Sequence, residues 1–131
     1  MSSSGLGWCT PFIGISSAGN IIVQVHHQSS PYNIQGPIIQ LNTWTHVVQT
    51  YSPTNGGGLY VNGQLYTTMP TATIYDASSS MNFVTIGNAL NGAANCYNPG
   101  ILVTPYLGMI DEIRIYSREL SASDVCVLAW P

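Results

Sequence analysis

The dipeptide Asn62-Gly63, set between apolar runs at 59–61 and 65–67, fixes a chain reversal. A two-residue type I′ turn needs positive φ at both central positions, which Asn and Gly tolerate, and its twist suits paired antiparallel strands. A hairpin is expected here, and with it an antiparallel sheet. The rest of the chain follows the same pattern: short runs of β-branched and aromatic residues broken by Gly, Pro, Asn and Ser. No window long enough for a three-turn helix keeps a 3.6-residue period. The spacing predicts strands near 12–16, 21–26, 44–51, 58–61, 64–67, 83–87 and 109–116, with a short or edge strand at 38–41.

Alternation then assigns faces. Ile21, Val23 and Val25 share one face of their strand, and Ile22, Gln24 and His26 the other. Trp44, His46, Val48 and Thr50 lie together, opposite Thr45, Val47, Gln49 and Tyr51. Ala18-Gly19-Asn20 and residues 53–58 read as turns, and residues 28–37, 68–82 and 88–108 as loops or connections. Residues 1–9 are loose. At the far end, residues 121–128 read as a short helical turn, with Ser121 as N-cap and Asp124 at the N3 position. These elements describe an all-β, antiparallel sandwich, one domain over residues 1–131.

The charge content narrows the partners. Arg114 and Arg118 are the only strong cations, against Asp76, Asp111, Glu112, Glu119 and Asp124, so charged residues make up 5% of the chain. Two arginines cannot neutralise a phosphate track, which excludes nucleic-acid binding through a basic face. An anionic membrane surface is disfavoured for the same reason, and no apolar run is long enough to insert. Uncharged polar groups over an apolar sheet suit a glycan or a protein surface.

Of the three cysteines, no pair has the Cys-x-x-Cys spacing of a zinc or redox site. Secretion would permit one disulfide, Cys9 to Cys96, with Cys126 left over; three inert thiols remain the alternative. The amino end lacks the basic and apolar regions of a signal peptide.

Chemistry-bearing motifs are few. There is no Gly-x-Ser-x-Gly, His-Glu-x-x-His or phosphate-binding glycine pattern. The adjacent acids Asp111 and Glu112 point to opposite faces of any strand, so they cannot flank one glycosidic bond. His26 and His27 diverge likewise and make a poor metal pair. Tyr32, Tyr97 and Tyr106 stand among Asn, Gly and Pro in loops, where aromatic rings suit sugar faces or protein surfaces. They are the candidate ligand-binding residues.

Four segments carry a family resemblance: WTHVVQTYS at 44–52, LYVNGQLY at 59–66, FVTIGNA at 83–89 and GMIDEIRIYSRELSASDV at 108–125. In order and spacing they resemble the laminin-G-like jelly rolls of the concanavalin A-like superfamily. The resemblance implies a concanavalin A-like jelly roll with Trp44, His46, Asn62, Gly63 and Asp111 in structural roles. Ile113 and Ile115 are then core residues, and Trp44 anchors a strand start. It also implies further strands before Phe12, so the chain is expected to be the carboxy-terminal portion of a module that pairs with upstream strands of its parent chain. Such modules commonly bind calcium, for which Asp76, Asn88 and Asp111 are the candidate ligands; no cofactor is otherwise required. The expected role is a non-catalytic extracellular recognition module within a larger protein, binding carbohydrate or protein. A structural spacer is the alternative, and a glycoside hydrolase a remoter one.

Overall fold

The computed structural model describes residues 8–9, 11–27, 30–69, 84–88, 95–96, 100–102 and 104–130. Two antiparallel sheets face each other, each of three strands. The first contains β2 (Ile13–Ile15), β3 (Asn20–His27) and β4 (Ser30–Ile38). The second contains β5 (Val47–Ser52), β6 (Gly56–Val61) and β7 (Gln64–Met69). In both, strand order follows chain order, as hairpin connections dictate. A shorter pairing joins β1 (Trp8–Cys9) to β8 (Asn95–Cys96), and it is parallel. That departs from the all-antiparallel expectation, because a late segment runs beside the start of the chain in the same direction.

The faces follow the alternation. Ile21, Val23, Val25 and Ile34 of the first sheet meet Leu59 and Met69 of the second, with Val47, Tyr51 and Val61 packed around them. The amide of Gln49 crosses between the sheets and donates to the Gln24 carbonyl, just beyond the last residue that β2 pairs. The reverse face of β3 is covered as well: Ile22 is buried, and the Gln24 side chain is 1% exposed, with its amide unpartnered among the described residues.

The turns obey backbone sterics. Asn62 and Gly63 have φ of 51° and 79°, and Val61 pairs with Gln64, so the hairpin closes with two residues. Asn62 also locks the neighbouring strand: its Oδ1 accepts from the His46 N–H at 3.0 Å, and its own N–H donates to the His46 carbonyl at 2.8 Å. The reversal at 18–20 closes through Gly19 at φ 85° and a bond from Ser16 N–H to the Asn20 carbonyl. Helix α1 (Ala122–Ala129) has the expected capping box, Ser121 and Asp124 each bonding the other's backbone N–H.

Three expectations fail. Residues 28–37 are not a loop: from Ser30 on they form β4, paired with β3 through His27↔Ser30, Val25↔Tyr32 and Val23↔Ile34. Pro31, Gly36 and Pro37 hid the strand, yet Gly36 is there because a Cβ would lie 2.6 Å from Leu59 Cδ2 across the core. Second, of the strand expected at 83–87, residues 84–87 form none, and Phe83 lies outside the described residues. Third, residues 109–116 form none either, and Ile113 and Ile115 are 51% and 79% exposed rather than core. Glu112 sits at φ 53°, with its N–H on Asp111 Oδ1 at 2.8 Å, and that left-handed kink ends the alternation in mid-segment. Trp44 is exposed and lies three residues ahead of β5.

Candidate functional site

The outer face of the second sheet is where the carboxy-terminal helix lands. Tyr60 projects there, opposite in parity to the core residue Leu59, and packs with Leu120 and Val125, flanked by Val48 and Leu128. This satellite core seats α1 at one side of the sheet. Beside it a cleft of about 280 Å³ stays open between the sheet and residues 119–122.

The cleft exists because of glycine. Its floor is Gly57 and Gly58 of β6, an unusual choice for a strand interior, where Gly has nothing to pack and marks close approach. Gly57 answers to the core: a Cβ would lie 2.6 Å from Val25 Cγ1. Gly58 answers to the cleft, since its Cβ would lie 2.6 Å from Thr50 Oγ1. Thr50, Tyr60, Leu65 and Thr68 rise around that hollow, and Asn55, Glu119 and Ser121 form the facing rim.

The rim is held by polar bonds. Asn55 donates from Nδ2 to Glu119 Oε2 at 2.8 Å, bridging the β5–β6 turn to the segment ahead of α1. Ser52 Oγ accepts from the Asn55 N–H and sets the turn. Behind the rim, Arg118 Nη1 binds Asp124 at 2.9 Å, and the Ser121 N–H donates to the same carboxylate. Arg118 first, then these Ser121 bonds, hold the Asp124 carboxyl well below the usual carboxylate range. The cleft therefore offers three aliphatic hydroxyls, an amide, one carboxylate, a tyrosine ring and two leucines. That set supplies hydrogen-bond donors and acceptors beside an apolar face. Among the described residues Glu119 is the one carboxylate lining the cleft.

A second hollow, of about 200 Å³, opens at one end of the sandwich between Pro37, Ile38, Gln40, Thr45 and Asn62. Close by, burial lowers the pKa of His46, whose Nδ1 is buried without a hydrogen-bond partner among the described residues.

The residues singled out from sequence lie elsewhere. Tyr32 is on β4, half exposed, and Tyr106 is half exposed with its N–H on the Gly87 carbonyl at 2.7 Å. Neither lines either hollow. Tyr97 and Asp76 lie outside the described residues. Asn88 and Asp111 are exposed, and among the described residues no three of His, Cys, Asp and Glu come together to hold a metal. The cleft residues Thr50, Asn55, Gly58, Tyr60, Thr68 and Glu119 were missed. Their signal was the glycine run 56–58, which reads as a turn until β6 is seen to pass through it.

Comparison with known proteins adds a family and a fold. Residues 1–126 match the laminin-G family described as the concanavalin A-like lectin/glucanases superfamily. A solved structure, an S-layer domain-containing protein (residues 221–444) from Clostridium thermocellum ATCC 27405, is similar at 27% identity and a TM-score of 0.54. The match covers 84% of this chain and 50% of that one, so this chain spans half the length of its solved relative. No curated protein matches.

Proposed function

Because the chain belongs to the concanavalin A-like lectin/glucanases superfamily, we propose that it is a non-catalytic extracellular recognition module that takes a neutral, hydroxyl-rich unit of a glycan in the Gly58 cleft. The observation that carries this reading is the lining: hydroxyls, an amide and an aromatic ring around a floor kept open by a glycine. Sugars are bound by that mixture of ring face and directional polar partners. The lone carboxylate supports binding over hydrolysis, which uses two carboxyl groups about 5–10 Å apart. The solved relative is an S-layer domain-containing protein, which supports a place outside the cell. In this reading no metal is needed.

The test is a glycan array with the full chain, repeated with calcium and with a chelator, followed by calorimetry on any neutral glycan retained. Gly58→Val fills the hollow and is expected to lower affinity at least tenfold, with binding unchanged by the chelator. Retention of full affinity by Gly58→Val would move the site elsewhere. An array without neutral ligands would remove the glycan reading. The exposed Leu107, Met109, Ile113 and Ile115 favour a second reading, a packing module whose apolar surface is covered by another part of its parent protein.

A further inference from the structure

We propose that Cys9 and Cys96 are joined by a disulfide that clasps β1 to β8. The placement comes from the backbone. In the parallel pairing of β1 with β8, Trp8 is opposite Asn95 and Cys9 is opposite Cys96. Opposed residues on adjacent strands lie about 4.8 Å apart at Cα and on the same face of the ladder. A disulfide closes over a Cα separation of about 4.4–6.8 Å.

A second contact lies nearby: the Leu102 N–H donates to the Ile15 carbonyl at 2.9 Å, so described residues that follow each cysteine in the chain also meet. Ile101, next to that contact, is buried where Gly14 leaves room: a Cβ on Gly14 would strike the Ile101 side chain. The clasp would hold β1 against β8, as Ile101 is held against Gly14. Cys126, on the exposed side of α1, is a free thiol and takes no part.

The chemistry needs an oxidant of the disulfide class, such as the oxidised half of a glutathione couple. Two chain thiols and one disulfide of the couple exchange to one chain disulfide and two thiols of the couple, so that electrons and protons balance. An oxidising compartment supplies that couple.

The test uses the full chain equilibrated in a glutathione redox buffer, quenched in acid, alkylated while denatured, and digested with pepsin for mass spectrometry. One alkylated cysteine, Cys126, and one peptide pair joined through Cys9 and Cys96 are expected. Cys126→Ser keeps the joined pair, whereas Cys9→Ser and Cys96→Ser each raise the alkylated count to two. Reduction lowers the Tm of the oxidised chain by on the order of 10 °C and leaves that of Cys9→Ser unmoved. Three alkylated cysteines at equilibrium, or any link through Cys126, would overturn the assignment. The readout is thiol chemistry, so it stands or falls apart from glycan binding.

Discussion

Residues 13–69 and residues 104–118 are built from similar residues and end in opposite states. The first stretch carries six of the strands, with every residue of the principal core cluster among its Ile, Val, Leu and Met side chains. The second has Met109, Ile113 and Ile115 at the same two-residue period, yet it forms no strand and leaves them exposed. The difference lies in the partner. Val23 has β2 on one side and β4 on the other. The 109–116 segment has no ladder among the described residues, and its carbonyls and N–H groups gain nothing from staying extended. Alternation makes a strand possible, and a neighbouring edge makes it form.

The largest test of this contrast sets one core leucine against one exposed isoleucine. Leu59→Ala empties a fully buried site between the sheets and is expected to cost about 3 kcal/mol in urea unfolding. Ile115→Ala is expected to change stability by less than about 0.5 kcal/mol. Equal losses at the two positions would show that residues 109–116 are packed in solution.

Gly57→Ala is the next largest. Its Cβ meets the stiff side chain of Val25, and a loss of about 2 kcal/mol is expected. The same substitution at Gly58 meets the Thr50 hydroxyl and, less closely, the Tyr60 ring, both beside the open cleft, and should cost less. A reversal of that order would put the core on the other face of β6.

Gly63→Ala places a Cβ at φ 79°, 3.0 Å from Ala129 Cβ, and is expected to cost about 1 kcal/mol by thermal unfolding. Retained stability there would mean that the hairpin does not set the register of the second sheet.

The smallest effect is a pH dependence. The folded-state pKa of Asp124 lies below its unfolded value, so its contribution is present above about pH 4 and is lost as the pH falls below that. Asp124→Asn should flatten this part of the acid limb of a stability–pH curve by lowering the neutral plateau, while stability at low pH stays close to that of the parent chain. An unchanged acid limb would mean that the bonds to Arg118 and Ser121 are not kept in solution.

Much of the fold was legible in the residues, and for local reasons. The Asn62-Gly63 hairpin, the faces of β3 and β5, and the Ser121–Asp124 capping box depend on neighbours within one turn or one strand. β4 was not legible, because Pro31, Gly36 and Pro37 are turn formers by propensity and only Leu59, across the core, explains Gly36. The cleft was hidden for a related reason. Thr50, Tyr60, Thr68 and Glu119 come from three strands and the approach to a helix, and no spacing along the chain unites them. Tyr32, Tyr97 and Tyr106 look like ligand partners singly, whereas the cleft is a property of a surface.

The ion pairs have a consequence for how this molecule meets others. Arg114 is bound to Glu112 and Arg118 to Asp124, so each cation of the chain is cancelled where it stands. The net charge of −3 then resides on Asp76, Asp111 and Glu119 alone. Such a surface casts little field beyond a Debye length of about 8 Å. Encounter with a partner proceeds by unguided diffusion, at about 10⁵–10⁶ M⁻¹s⁻¹, and its rate is nearly indifferent to ionic strength. Weak mutual repulsion also leaves copies free to approach one another, so solubility rests on neutral hydroxyl and amide groups.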